Sequence, residues 1–295
     1  MSLAIVIPAR PSDPWRAAAL NYVEHWYARY FLEAELLVGG DVEGEWSKGA
    51  AVRSLVDRTE ANTLVIADAD SFLVDVTDLH AALDMVIHGA RHAVTPHRRV
   101  YRLNAKETSR LEADHTLTPR LGHTARPVYN GPIGGGITVL DRWAFDEVRG
   151  IDPRFLGWGG EDVAFGWALE TLAAPVEQMD AVLVHLWHPH PAPNLRGSPE
   201  SEALVARYQA ARLIPRRMAH VVRHEDPPPA EPLPEPVVFR MLGNRTALRL
   251  PNGDVARFTG PRQSARYGGT HATTDPDVVT MLRTFRIVSE EKPRR

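Results

Sequence analysis

The run Leu64-Val65-Ile66-Ala67-Asp68-Ala69-Asp70 constrains the fold more than any other part of the chain. Four apolar residues in succession leave no face for water, so the strand expected at residues 63–67 needs cover on both sides. A strand of that kind lies inside a sheet flanked by helices, an α/β architecture. Leu3, Ile5, Val6 and Ile7 repeat the pattern at residues 2–10, where Pro8 halts it. Ligands of open α/β sheets sit beyond the carboxyl ends of strands. Pro8, Ala9 and Arg10 stand at one such end, and Asp68 and Asp70 at another. Two apart on an extended strand end, the two carboxylates are expected to point the same way and to offer oxygens to a hard divalent cation. A plain turn, helped by Asp75 and Asp78, is the alternative.

Residues 129–170 carry the second concentration of chemistry. Gly134, Gly135 and Gly136 precede a short apolar strand at 137–140 and a helix-sized piece at 142–148, and then Gly157-Trp158-Gly159-Gly160-Glu161-Asp162 opens another helix. A flexible backbone thus delivers two carboxylates and a large ring to one place. Acids in a first helical turn are also favoured by the helix dipole alone. Here, however, Asp-x-Asp lies upstream and a strand at 181–187 leads to His185 and His188 downstream. Acids and imidazoles at three strand or turn ends point to a divalent-metal site with a base beside it.

The order of these features resembles the nucleotide-sugar glycosyltransferases of the GT-A fold, in particular the beta-1,4-galactosyltransferase-type group with its bacterial and phage relatives. The resemblance covers residues 1–215. It implies a Rossmann-like mixed sheet flanked by helices, a UDP-sugar donor, and Mn²⁺ or Mg²⁺ as cofactor. By resemblance, Asp70 is the direct metal ligand and Asp68 meets the ribose or the metal shell. Where the group has a Met and a His three residues apart, this chain has His185 and His188. The ligand set is then richer in nitrogen, with His188 the first choice, His185 the second, and His190 an outsider between Pro189 and Pro191. Pro8, Ala9 and Arg10 would meet the nucleotide. Arg53 or Lys48 would meet a phosphate, a solvated helix face being the equal alternative for both.

The motif position makes Asp162 the general base of an inverting transfer to a hydroxyl, with Glu161 orienting substrate and Trp158 stacking on a sugar face. Gly135, Gly136, Gly159 and Gly160 would shape the acceptor side. Retaining relatives of the polypeptide N-acetylgalactosaminyltransferase type carry Asn at the place of Asp162, so the resemblance favours inversion. Galactose, N-acetylgalactosamine and glucose stay open as the sugar moved, to a carbohydrate or glycosylated-protein acceptor. From another class, a sugar-binding or virion-attached protein on the same scaffold without turnover is the alternative.

A net charge of −3 offers no basic field for nucleic acid. No apolar run reaches the roughly 18 residues of a membrane span and no leader pattern is visible, so cytoplasmic action, in a host cytoplasm if phage-encoded, is the expectation. Zero cysteines remove thiolate metal sites. Asp13 with Pro14, and Ser47, are expected to cap helices, the first burying Tyr22, Val23, Trp26, Tyr27 and Tyr30. Residues 77–87 read as an amphipathic helix. Residues 96–128, with Arg98, Arg99, Arg102, Arg110, Arg120 and Arg126, read as a long basic loop, either a lid or a solvated insertion.

After a helix at 199–213, residues 225–236 hold six prolines and form a stiff spacer. The expected domains are 1–222, a linker at 223–236, and a small β-rich module at 237–295. The module has a Pro-Asn-Gly-Asp hairpin and a helix capped by Asp275. Its end faintly resembles small modules encoded among bacteriophage structural genes. Its expected work is binding, to an acceptor protein or to another copy of the chain.

Overall fold

Strands β1 (Leu3–Pro8) and β3 (Thr63–Ala67) have the two-sided cover their composition demands, since Ala4, Ile5, Val6 and Ile7 and then Leu64, Val65, Ile66 and Ala67 are all buried. The two strands are parallel neighbours, and β2 (Glu35–Gly39) runs parallel on the other side of β1. The computed structural model describes residues 2–40, 42–121, 129–173, 176–189, 198–226, 231–233, 235–242, 247–259, 267–286 and 288–291. Arg126, His190, part of the Pro-rich run and the tail at 292–295 lie outside these residues.

The sheet continues through β4 (Ser71–Leu73), β5 (Ala93–Arg102), β7 (Ile137–Asp141) and β8 (Val176–His185), in the order β2-β1-β3-β7-β5-β8-β4. A two-residue strand, β6 (Tyr129–Asn130), pairs with β5. Strand β7 is antiparallel to both neighbours, whereas β5 and β8 run parallel. This is the mixed sheet flanked by helices that the GT-A resemblance implied.

The helix starts follow their caps. Asp13 accepts the Arg16 amide at 2.9 Å to open α1 (Pro14–Tyr30), and Ser47 accepts the Ala50 amide at 3.3 Å to open α2 (Lys48–Val56). Tyr22, Val23 and Tyr27 of α1 are buried, but Tyr30 is exposed, so the aromatic stripe is only partly core. Helix α3 (Val76–Ile87) buries Leu79, Leu83 and Val86 as its pattern requires.

Residues 96–128 are not one irregular loop. Strand β5 runs through Pro96 to Arg102, and Asn104 caps α4 (Ala105–Ala113). Pro96 is tolerated because the β5–β8 register shifts between Thr95 and His97 and again before Arg99, so the missing amide falls at a bulge.

The chain divides into two compact units, Met1–Val205 and Ala206–Arg295. The division falls inside α7 (Pro199–Ala211), ahead of the boundary at 222 expected from the Pro-rich run. Packing explains the difference. In the second unit, Ile214 joins Phe239, Met241, Leu248, Phe258 and Leu282 in one apolar cluster. Arg216 and Arg217, on α8 (Pro215–Val222), both pair with buried Asp277 on α9 (Pro276–Arg283). The unit's sheet has β9 (Val237–Leu242) between β12 (Tyr267–Thr273) and β13 (Val288–Glu290), and the expected hairpin joins β10 (Ala247–Arg249) to β11 (Val255–Arg257).

Candidate active site

Asp68 and Asp70 leave β3 through a turn, closed by the Ser71 amide donating to the Asp68 carbonyl at 3.2 Å. The turn separates the two carboxylates, which do not point the same way as an extended end would make them. Asp70 faces β8, because Ser71 pairs with His185 across the β4–β8 ladder and the Leu186 amide donates to the Asp70 carbonyl at 2.8 Å. His185 Nε2 then lies 3.7 Å from Asp70 Oδ1, and His188 Nε2 3.1 Å from Asp70 Oδ2.

One ligand atom from each of Asp70, His185 and His188 lies within 4.8 Å of the others. The outer face of each ring is fixed: His185 Nδ1 is bonded to the Leu186 carbonyl at 2.7 Å and His188 Nδ1 to the Pro189 carbonyl at 2.9 Å. A carbonyl only accepts, so Nδ1 carries a hydrogen and Nε2 is the nitrogen turned toward Asp70, where it donates when the ring is protonated and offers its lone pair to a cation when it is not. Burial alone would push the Asp70 carboxyl up, but His185, His188 and Ser71 together hold it well below the usual carboxylate range. His188 is moved up, chiefly by its bond to Asp70. An anionic oxygen and two oriented nitrogens on one point fit a divalent cation.

Asp68 stands apart from this cluster. Its Oδ1 accepts from Lys48 Nζ at 2.5 Å, and the same ammonium donates to Asp162 Oδ1 at 2.8 Å. Lys48 thereby joins the first turn of α2, the turn after β3 and the first turn of α6 (Glu161–Leu172). Burial is the largest influence on Asp162 and lifts its carboxyl up to about 7; Lys48 opposes this, while Asp68 and Glu161 add to it. Burial disfavours the Lys48 ammonium too, but the carboxylates around it raise it well above its ordinary value.

The glycines place Asp162. A Cβ on Gly134 would lie 2.7 Å from the Gly166 nitrogen, and one on Gly166 would lie 1.9 Å from the Ile133 carbonyl oxygen, so the turn and α6 touch backbone to backbone. A Cβ on Gly135 would come within 3.0 Å of Asp162 Oδ2. The Gly136 carbonyl accepts the Asp68 amide at 2.8 Å. Gly160, at φ +94°, takes the left-handed conformation at the N-cap of α6, where a side chain would strike Val205. These glycines are filled in by protein atoms, so their first role is to let the chain close around Asp162.

Glu161 is buried and accepts the Gly159 amide at 2.9 Å, bracing its own turn. Trp158 is exposed beside it. In the β1–β3 register, Val6 pairs with Ile66, so Pro8 and Asp68 stand level two residues on. The Ala9 amide donates to the Gly39 carbonyl at 2.8 Å, and Arg10 lies over the Trp46 ring while bonding the Gly44 carbonyl. Arg53 is not brought to this group: it lies over the Phe145 ring and pairs with Asp146 and Asp57. A cavity of about 340 Å³ adjoins the imidazoles, with Tyr101, Arg102, Asn104, Arg120 and Trp187 in its wall. Two of the arginines of the expected basic loop thus reach the site, from the end of β5 and from beyond α4.

Residues 124–181, which span the glycine-rich turn and the Gly-Gly-Glu-Asp motif, match the family model described as the N-terminal domain of galactosyltransferase. The chain therefore carries a glycosyltransferase segment, in agreement with the resemblance drawn from its motifs. No curated protein matches the chain by sequence. Among solved structures, the catalytic domain of Drosophila beta1,4-galactosyltransferase 7 in complex with xylobiose is 12% identical, with a TM-score of 0.46 over 95% of this chain and 97% of that one. Glucosyl-3-phosphoglycerate synthase from Mycobacterium tuberculosis, with phosphoglyceric acid, is 14% identical, with a TM-score of 0.42 over 72% of this chain and 80% of that one. Staphylococcus aureus TarS 1–349 with UDP is 11% identical, with a TM-score of 0.45 over 76% and 70%.

Proposed function

We propose that the chain is a metal-dependent, inverting glycosyltransferase that moves a hexose from a UDP-sugar to a hydroxyl acceptor. The observation that carries the reading is the convergence of two sequence motifs distant in the chain. One ammonium, Lys48, bridges Asp68 of the Asp-x-Asp turn to Asp162 of the Gly-Gly-Glu-Asp turn, with the Asp70, His185 and His188 cluster two residues from Asp68.

Asp70, His188 and His185 would hold Mn²⁺ or Mg²⁺, which supplies positive charge beside a departing diphosphate. Pro8, Ala9 and Arg10, level with Asp68, would receive the nucleotide. Asp162 would take the proton of the acceptor hydroxyl as the acceptor oxygen bonds to the anomeric carbon. The bond from that carbon to the diphosphate oxygen breaks on the opposite face, and its electron pair leaves with UDP. Exposed Trp158 would stack on the apolar face of the acceptor.

The test is UDP release from UDP-galactose, UDP-N-acetylgalactosamine and UDP-glucose, with Mn²⁺ and with EDTA, for wild type and Asp70→Ala. Release from one donor, lost with EDTA and in the variant, is the expected result. Absence of both release and calorimetric UDP binding in Mn²⁺ would overturn the reading.

A further inference from the structure

Among the described residues Lys48 is the one cation that touches both proposed motifs, and the steps proposed above give it no part. Its side chain is 12% exposed, and the ammonium lies 2.5 Å from Asp68 Oδ1 and 2.8 Å from Asp162 Oδ1. Only one oxygen of Asp162 is taken in this way. Oδ2 lies against Gly135, within 3.0 Å of where a Cβ there would stand, and the Asp162 side chain is 26% exposed.

We propose that Lys48 is a positioning residue for the transfer: by holding Asp162 Oδ1 it fixes the carboxylate's rotation and leaves Oδ2, on the Gly135 side, as the atom that accepts the proton. The inference rests on the reading of Asp162 as the base. Three charged groups bear on Asp162: Lys48 from α2, Asp68 from the turn after β3, and Glu161 from α6 itself. The glycine turn adds backbone and Pro132. Of the three, only Lys48 is cationic, so the ionised form of Asp162 depends on it. A lysine on a four-carbon stem also suits a contact that must be partly surrendered when a donor enters beside Asp68.

The experiment needs no substrate. In the full chain labelled with ¹³C-aspartate, the Asp162 carboxyl resonance, assigned by Asp162→Asn, is titrated in wild type, Lys48→Met, Lys48→Gln and Lys48→Arg. Loss of an opposite charge at this distance should raise the Asp162 midpoint by about 1–3 pH units in Lys48→Met and Lys48→Gln, with Lys48→Arg close to wild type. An unmoved midpoint in a folded Lys48→Met or Lys48→Gln protein overturns the proposal. Should neither variant fold, the Lys48 Nζ resonance is followed in wild type and Asp162→Asn: a lower midpoint in the variant supports the pairing, and an equal one overturns it. With a donor that turns over, the acid limb of UDP release should move with the midpoint, a change that mere loss of packing does not produce. Failure of the transferase reading shows separately, as wild type that releases no UDP at any pH.

Discussion

His188 Nε2 lies 3.1 Å from Asp70 Oδ2, closer than His185 Nε2 comes to the other oxygen of the same carboxylate, at 3.7 Å. Two nitrogens and one oxygen suit Mn²⁺ better than Mg²⁺, which prefers oxygen ligands. Calorimetry should therefore show Mn²⁺ binding tighter than Mg²⁺ by about tenfold or more. Asp70→Ala should abolish binding, and His188→Ala should weaken it more than His185→Ala. Equal affinity for the two ions in wild type would count against this ligand set.

Asp162→Asn preserves the shape of the side chain and removes its basicity. UDP release with acceptor should fall by roughly 10²–10⁴-fold, the range for loss of a general base, while calorimetric binding of UDP with Mn²⁺ stays as in wild type. A variant with near-normal turnover would remove Asp162 from the chemistry.

The Asp162 carboxyl is raised to about 7 and must be ionised to accept a proton. Its active form is thus lost as pH falls through about 7 and is fully present above. The kcat/KM for the best donor should descend about tenfold per pH unit below that point. A flat profile between pH 5 and 8 would contradict it.

His97 is buried at the β5 bulge, neither ring nitrogen has a hydrogen-bond partner among the described residues, and burial pulls its imidazole down to about 4. Its folded pKa is depressed below the ordinary value near 6.5, so the unfolded chain binds the extra proton in the window from 6.5 to 4. Stability is complete above that window and falls as pH drops through it, by about 3 kcal/mol from this residue. Denaturant titrations at several pH values should show that loss in wild type and its absence in His97→Leu.

A methyl group at Gly166 would occupy the place of the Ile133 carbonyl. Gly166→Ala should force the glycine turn off α6, with a loss of more than about 2 kcal/mol in denaturant stability and of turnover together. Wild-type stability in that variant would show that the turn and the helix do not touch as described.

Legibility varied with how local the cause was. Asp13, Ser47 and Asp275 announce their helices because a cap is settled within three residues. The continuation of β5 past Thr95 was hidden by Pro96, since the bulge that accommodates it arises only from pairing with β8. The Asp-x-Asp motif was visible, but not the division of labour within it. Whether the chain after Ala67 is extended or turned is decided by Ser71 meeting His185, more than a hundred residues away. Lys48 looked like any helix-face lysine, because its partners come from two other segments. Arg53, five residues on, faces Phe145 instead, although both side chains leave the same helix. No local signal separates the two.

The backbone contact at Gly134 and Gly166 divides the site into parts of unequal tolerance to change. The carboxylate proposed as the base stands on α6 against the glycine turn, and neither segment admits a side-chain atom at Gly134 or Gly166, whereas Trp158, before the same helix, is half exposed. Diversification, in nature or in a laboratory library, is therefore channelled to that ring and to the cavity wall at Tyr101 and Arg120. Under the proposed function, acceptor preference is free to drift there from one descendant to the next while the reaction itself is inherited intact.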